Sequence, residues 1–210
     1  MLEMMRKNAL TLAIFALVCT AVVALTHRLT QGTIIEQEQA QLLRVLDELL
    51  PESNHDEPLF AHCVMVTNPQ FLGSKQALPV FTAVKGGEAQ GYAIEAIAPD
   101  GYSGDIKLIV GVKTDGTLNG VRVLTHNETP GLGDKIELKR SPWILSFNGK
   151  SMTDEKDTRW AVRNDGGQFD AFTGATITPR AVVKAVRKVL LLVQQHPELL
   201  TQAPACGDSL

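Results

Sequence analysis

A long apolar run lies near the N-terminus of the chain. Residues Ala9–Thr26 contain no charged side chain. As a helix they extend about 27 Å, close to the hydrocarbon thickness of a bilayer. Arg6 and Lys7 precede the run, so the positive-inside rule predicts a cytoplasmic N-terminus and an exported remainder. The pattern predicts a single transmembrane anchor within residues 1–28.

A cleaved signal peptide is the alternative interpretation of this run. Val22–Ala24 is a passable small-residue cleavage site. The run stays apolar as far as Leu25, which favours an uncleaved anchor. His27 and Arg28 follow the run and weaken the predicted orientation. Both interpretations export the rest of the chain.

An amphipathic helix is predicted after the anchor, over Glu36–Leu50. Its apolar residues recur at helical spacing among Glu, Gln and Arg; they are Leu42, Leu43, Val45, Leu46, Leu49 and Leu50. Pro51 ends the helix, and the polar stretch Glu52–Pro58 is predicted to be a loop. Residues 29–58 are therefore predicted to form a helix and a linker.

Histidines and carboxylates near this loop raise the question of a metal site. His55 and His62 lie close to Asp56 and Glu57 in the sequence. Their spacing matches no zinc-ligand pattern, so a solvated loop is the favoured interpretation.

Short β-rich runs between Leu59 and Val123 predict an antiparallel sheet. The predicted strands are Ala61–Thr67, Leu78–Val84, Tyr92–Ile97, Ile106–Lys113 and Leu118–Leu124. Gly86-Gly87 and Asp115-Gly116 predict tight turns between them. The regular strand–helix alternation of a Rossmann domain and its Gly-x-Gly-x-x-Gly motif are both absent from the sequence, so the predicted class is α+β.

The last long periodic segment predicts a helix that ends at about Gln195, before Pro197. Its apolar face contains Val182, Val183, Val186, Val189, Leu190 and Val193. Thr178 is predicted to be its N-cap and Pro179 its first helical residue. The predicted domain therefore spans residues 59–197, and residues 198–210 are predicted to form a loose tail.

The composition of the chain argues against a nucleic-acid partner and against a cysteine-based metal centre. A net charge of -3 and a sequence pI of ≈ 6.0 argue against nucleic acid as a partner. Trp143, Phe147 and Trp160 are predicted to be core residues. The three cysteines form no Cys-x-x-Cys, so no iron–sulfur or zinc framework is expected. Cys63 and Cys206 both lie in the exported part, and their pairing stays open.

The candidate site is the stretch Asp170–Thr178, in which hydroxyl side chains surround Gly174 and Ala175 just before the predicted helix. The N-terminus of a helix has free N–H groups and a positive dipole end, which favour an anion such as phosphate. A simple capped helix after a glycine turn is the alternative.

This stretch resembles the flavinylation motif Asp-x-x-(Ser/Thr)-Gly-Ala-Thr of the FMN-binding domain family. In that family the last threonine of the motif carries FMN through a phosphoester bond. The resemblance implies that Thr176 is the attachment residue and that Asp170 is the acid read by a flavin transferase. It also implies cofactor-binding roles for the other small and hydroxyl residues of the stretch: Thr173, Gly174, Ala175 and Thr178.

Two upstream loops resemble the other characteristic segments of that family. They are the Gly-Tyr-Ser loop within Pro99–Gly104 and the Glu-Thr-Pro-Gly-Leu-Gly loop within His126–Asp134. The resemblance implies that both loops approach the flavin, through Glu128, Thr129, Leu132, Tyr102 and Ser103.

The layout of an anchor followed by such a domain is similar to that of the G-subunit family of Rnf (Rsx) ion-translocating electron transport complexes. The C-subunit family of the sodium-translocating NADH:quinone reductase has the same plan but is generally longer. The resemblance implies a single-pass protein of the bacterial inner membrane with a periplasmic C-terminal domain. It also implies covalent FMN as cofactor, and a flavin transferase and the other subunits of a membrane electron transport complex as partners.

Three functions remain open at this point. The sequence contains no pump helices, NADH site or cluster ligands, so the favoured function is an electron carrier within a translocase, not catalytic alone. An exported FMN-binding redox-sensing or regulatory domain is the runner-up. The third is an assembly subunit without a cofactor, for which Thr176→Ala is harmless.

Overall fold

A computed structural model of the chain describes residues 2–51, 53 and 55–207. Four α-helices are present in these residues: α1 Leu2–Leu49, α2 Pro69–Leu72, α3 Ile177–Gln195 and α4 Leu199–Gln202. Five strands accompany them: β1 Cys63–Val66, β2 Leu78–Lys85, β3 Glu88–Ala98, β4 Ile106–Lys113 and β5 Leu118–Thr125. Short 3-10 helices lie at Leu59–His62, Gly133–Ile136, Pro142–Phe147 and Arg163–Asp165. The predicted α+β class is confirmed.

The five strands form one antiparallel meander in the order β1-β2-β3-β4-β5. Each predicted strand exists, with bounds that shift by a few residues. The turn at Gly86-Gly87 and the hairpin at Asp115-Gly116 are both confirmed, and the three glycines take positive φ values. The pairs β2–β3 and β4–β5 are therefore joined by tight turns, as the glycine signals predict, whereas longer segments join β1 to β2 and β3 to β4.

One face of the sheet packs against α3. Val110, Val112 and Ile94 belong to the same buried cluster as the apolar residues of α3. The helix has a strongly one-sided pattern, and its buried face contains Val182, Val186, Val189 and Leu190, as predicted. Burial of each such side chain contributes about 1.5–3 kcal/mol, so this contact is the main support of the domain.

The opposite face of the sheet receives the last turn of α1. Leu46, Leu49 and Leu50 are buried there. Gly111 and Gly120 face each other on β4 and β5, and a Cβ on Gly111 would lie 2.9 Å from the Leu49 Cβ. The paired glycines therefore leave the space that this turn fills.

The two helices predicted within residues 1–28 and 36–50 are one continuous helix, α1. Gly32 is the only glycine between the two predicted segments, and a single glycine costs a helix only about 1 kcal/mol. The chain divides into a unit that ends at Leu43 and a unit that begins at Arg44. The second unit therefore begins before residue 59, where the domain was predicted to begin, because the end of α1 packs on the sheet.

The first unit has the composition of a membrane span. All side chains of Ala9–Thr26 are exposed. Among the described residues, α1 is the one helix long and apolar enough to cross a bilayer.

The segment after Pro197, predicted to be loose, is bound to the sheet as far as the structure describes it. Leu200 of α4 is fully buried. The Met65 N–H donates to the Pro204 carbonyl at 2.7 Å, and Cys63 and Cys206 form a disulfide with a Cα–Cα distance of 5.4 Å. The tail covers the edge strand β1, which explains why it is ordered. Residues 208–210 of the predicted tail lie outside the described residues, as do Glu52 and Asn54 of the predicted loop.

The disulfide predicts a stability effect. Cys63 and Cys206 are 143 residues apart, so the bond restricts the unfolded chain strongly. Replacing both cysteines by alanine is expected to lower the free energy of unfolding by about 2–5 kcal/mol. Urea unfolding of the full chain in detergent, followed by tryptophan fluorescence, measures this because Trp143 and Trp160 are buried in the same unit.

Cys19→Ala is the matched control, because Cys19 is free and exposed. An unchanged unfolding midpoint for the wild-type chain after reduction would contradict the stabilising role of the bond.

Candidate functional site

The start of α3 differs from the predicted start by two residues. Thr176, not Thr178, is the N-cap, and the Arg180 N–H donates to the Thr176 carbonyl at 3.3 Å. The Thr178 hydroxyl instead donates to the Glu128 carboxylate, so it does not cap the helix. Pro179 is tolerated inside the first turn because the N–H groups there have no intrahelical partner.

The Thr176 side chain makes no capping hydrogen bond. Its hydroxyl therefore lies at the positive end of a 19-residue helix without being used to terminate that helix. An oxygen at this place is well placed to carry an anionic group.

A glycine turn brings the motif to the helix. Gly174 has φ +80°, a conformation that favours glycine. The Ala175 N–H donates to the Phe172 carbonyl at 3.0 Å, which closes the turn. The chain therefore reverses direction immediately before Thr176.

An aromatic cluster holds this turn in place. The Trp143 indole N–H donates to the Asp170 carbonyl at 2.8 Å. The rings of Trp143 and Phe172 lie 5.1 Å apart, and those of Phe147 and Phe169 lie 4.5 Å apart. Trp143, Phe147 and Trp160 are buried, so their predicted core role is confirmed.

A pocket of ≈ 390 Å³ opens beside Thr176. All three segments singled out in the sequence contribute to it. Its lining residues are Tyr102, Glu128, Thr129, Leu132, Gly133, Gly174, Ala175, Thr176, Ile177 and Thr178. Its volume lies in the range of small-molecule and cofactor sites.

The mouth of the pocket is apolar and open. Tyr102 is 68% exposed, Ile177 46% and Leu132 43%. Glu128 and Thr178, by contrast, are buried polar residues at its base. This arrangement suits a ligand that has a flat apolar part and a polar anchoring group.

Three of the predicted site residues do not line the pocket. Asp170 is exposed and forms an ion pair with Arg163 at 2.8 Å. Thr173 is exposed at the tip of the turn. Ser103 contributes its backbone N–H to the Glu128 carboxylate at 3.0 Å instead of a side chain to the pocket.

Gly133 and Ile177 line the pocket and were not predicted. Gly133 belongs to the predicted His126–Asp134 loop. Ile177 follows Thr176 directly. An apolar residue beside the motif gives no chemical signal in a sequence, so its place at the pocket mouth emerges only from the fold.

Two ion pairs link α3 to its surroundings near the pocket. Arg180 forms a two-pronged contact with Asp165, at 2.6 and 2.8 Å. Lys184 contacts Asp100, which lies in the loop that carries Tyr102. Hydrogen bonds from these cations lower the pKa of both Asp165 and Asp100 below the ordinary value. Both carboxylates therefore stay ionised near neutral pH.

No group of three or more His, Cys, Asp or Glu side chains suited to a metal ion occurs in the part of the chain that the structure describes. His62 pairs with Glu57 at 2.6 Å.

Comparison with known proteins identifies the family. Residues 101–191 match the FMN-binding domain family, and residues 1–49 match the RnfG N-terminal region. Proteins named as the G subunit of an ion-translocating oxidoreductase complex are similar over almost the whole chain. The one from Vibrio atlanticus is 56% identical over 208 residues, which is 99% of both chains. The one from Shewanella piezotolerans is 50% identical over 205 residues, which is 98% of this chain and 97% of the relative.

The chain belongs to the G-subunit family of ion-translocating oxidoreductase complexes. The resemblance inferred from the sequence motifs is thereby confirmed. Every residue that lines the pocket lies within the part matched by the FMN-binding domain family.

The residues of the pocket fit FMN. The unused Thr176 hydroxyl at the N-terminus of α3 suits a phosphate. The open apolar mouth formed by Tyr102, Leu132 and Ile177 suits a flat ring. The fit to FMN therefore rests on a hydroxyl suited to its phosphate and on an apolar surface suited to its ring.

The Asp100–Lys184 contact predicts a pH effect at the loop that carries Tyr102. The hydrogen bond from Lys184 is the largest cause of the lowered pKa of Asp100, and Lys188 is the smallest. In Lys184→Met, the pKa of Asp100 is expected to rise towards its ordinary value of 3.8. Carboxyl NMR titration of the full chain in detergent measures this shift.

The lowered pKa of Asp100 also determines how the stability of this contact depends on pH. A lowered pKa in the folded chain stabilises the contact above the ordinary pKa, and this stabilisation is lost as the pH falls through the folded value. Lys188→Met is the control and is expected to have a smaller effect. Equal pKa values of Asp100 in wild type and Lys184→Met would refute this contact.

Proposed function

We propose that this chain is the membrane-anchored electron-transfer subunit of an Rnf/Rsx-type ion-translocating oxidoreductase complex, carrying FMN through a phosphoester on Thr176. The observation that carries the proposal is the Thr176 hydroxyl. It lies at the start of α3 without a capping hydrogen bond, and it lines a pocket built by three separate segments. The names of the relatives support a place in such a complex.

Thr176 acts as an attachment residue in this proposal. Its Oγ forms a bond to the FMN phosphorus of FAD while the pyrophosphate bond breaks, so AMP leaves and the hydroxyl proton is lost to a base. A flavin transferase supplies the FAD site and the base. The N-terminal N–H groups of α3 then stabilise the phosphodiester charge.

Asp170 is proposed to be recognised by the transferase and to make no contact with the flavin. Its side chain is 65% exposed and lies outside the pocket. Its backbone carbonyl is fixed by Trp143, so the carboxylate is presented at a constant place beside the turn.

When bound, FMN supplies a ring that accepts and donates electrons. Attachment at the phosphate leaves that ring chemically unmodified. The chain positions it: Leu132 and Ile177 provide apolar contact, and Tyr102 adds an aromatic side chain at the mouth. The open mouth leaves a route for electron exchange with other subunits.

The proposed place of the domain is the periplasmic side of the bacterial inner membrane. The uncharged run Ala9–Thr26 supports a span, and Arg6 and Lys7 before it support a cytoplasmic N-terminus. The Cys63–Cys206 disulfide supports a domain outside the reducing cytosol. A covalent bond retains FMN in a compartment where a dissociated cofactor is lost.

The attachment predicts a loss of covalent flavin in Thr176→Ala. When the chain is produced with an active flavin transferase and denatured, the wild-type band is expected to fluoresce in a gel under ultraviolet light. Thr176→Ala is expected to be dark because it lacks the nucleophilic oxygen. Thr176→Ser keeps an oxygen and is expected to be partially labelled.

Thr173→Ser is the matched control, because Thr173 lies in the same turn but outside the pocket. A dark wild-type band beside an active transferase would eliminate the covalent electron carrier. Fluorescence retained in Thr176→Ala would show that another residue carries the FMN.

A further inference from the structure

The carboxylate of Glu128 joins three segments at the base of the pocket. The Ser103 N–H donates to its Oε1 at 3.0 Å, and the Thr178 hydroxyl donates to its Oε2 at 2.6 Å. Glu128 is 5% exposed; its contact with Thr178 is buried, and its contact with Ser103 is partly buried. One side chain thus connects the loop that carries Tyr102 to the first turn of α3.

Two glycines make room for this carboxylate. A Cβ on Gly133 would lie 2.7 Å from Glu128 Oε2 and 2.8 Å from Thr178 Oγ1. A Cβ on Gly101 would lie 2.9 Å from Glu128 Oε1. The carboxylate therefore occupies a closely fitted slot, where a small displacement of any of the three segments breaks a contact.

The backbone that carries Glu128 is fixed from the opposite side. The Glu128 N–H donates to His126 Nδ1 at 3.0 Å. Because Nδ1 accepts that bond, Nε2 carries the proton and donates to Glu137 Oε1 at 2.8 Å. Glu128 is held at both its backbone and its side chain.

We propose that Glu128 is a positioning residue of the flavin pocket: its carboxylate holds the Tyr102 loop against the start of α3, and so sets the distance between Tyr102 and Thr176. This inference rests on the proposed function and deepens it. The resemblance to the family implied that Glu128 approaches the flavin. In the structure both of its carboxylate oxygens accept hydrogen bonds from the protein, and in this proposal its effect on the flavin is exerted through Ser103 and Thr178.

The hydrogen bonds from Ser103 and Thr178 to the Glu128 carboxylate form a bridge between the Tyr102 loop and α3. The test uses one variant that removes the Thr178 donor and one that removes the carboxylate. Thr178→Val removes the hydroxyl and keeps the shape and the carboxylate, whereas Glu128→Ala removes the carboxylate. Each full-length variant is produced with the transferase, and quenching of its bound flavin by iodide is measured. Both variants are expected to raise the quenching constant severalfold, because the loosened Tyr102 loop exposes the ring.

The double variant tests whether the two residues act as one unit. Glu128→Ala combined with Thr178→Val is expected to be quenched no more than the stronger single variant, because either change alone already breaks the bridge. Thr178→Ser keeps the hydroxyl and is expected to show wild-type quenching.

A control outside the pocket separates positioning from general stability. Val189→Ala removes a buried α3 side chain outside the pocket. It is expected to lower the melting temperature without changing iodide quenching.

The outcomes distinguish this inference from the proposed function. A wild-type chain without covalent flavin overturns both. A flavinylated wild type with unchanged quenching in Thr178→Val overturns the positioning role alone. A change in Glu128→Ala that Thr178→Val does not share assigns Glu128 to direct flavin contact and also overturns it.

Discussion

The packing of α3 on one face of the antiparallel sheet determines where the candidate site lies. The buried valines and leucines of this helix fix its axis over β3 and β4. Its first turn then meets the loop that precedes β4 and the loop that follows β5. Because those loops leave the same end of neighbouring antiparallel strands, they reach the start of α3 together. The pocket follows from this packing.

The same helix supplies both the apolar face that packs on the sheet and the hydroxyl of the candidate site. Side chains that face the sheet from α3 are apolar and buried, while Thr176 at its N-cap keeps a free hydroxyl. The aromatic cluster around Trp143 fixes the preceding turn, and Glu128 ties the loops to the helix. A site held from several sides retains its shape without its ligand, which suits the proposed attachment of the cofactor by a separate enzyme.

Much of the fold was predictable because local patterns decide it. Strands separated by glycine turns allowed an antiparallel sheet with tight turns at Gly86-Gly87 and Asp115-Gly116 to be predicted, although not its strand order, and the one-sided apolar pattern after Pro179 predicted α3. The N-cap was misplaced because Thr-Pro fits both the cap position and the first turn of a helix. A tertiary contact, the hydrogen bond from Thr178 to Glu128, decides between the two.

Other features depend on contacts between distant residues and leave little local signal. The order of the tail comes from its pairing with β1 and from a disulfide that spans 143 residues. The continuity of α1 was missed because its apolar and amphipathic parts have different patterns, although no helix-breaking proline separates them. The partners of the Glu128 carboxylate lie 25 and 50 residues away, beyond the reach of any motif.

The most direct test of the central claim is the mass of the chain itself. Purified from bacterial membranes that contain an active flavin transferase, the intact chain is predicted to be heavier than its sequence by one FMN less one water. Fragmentation is predicted to place that added mass on Thr176. An unmodified mass, or an FMN group on any other residue, would contradict the account.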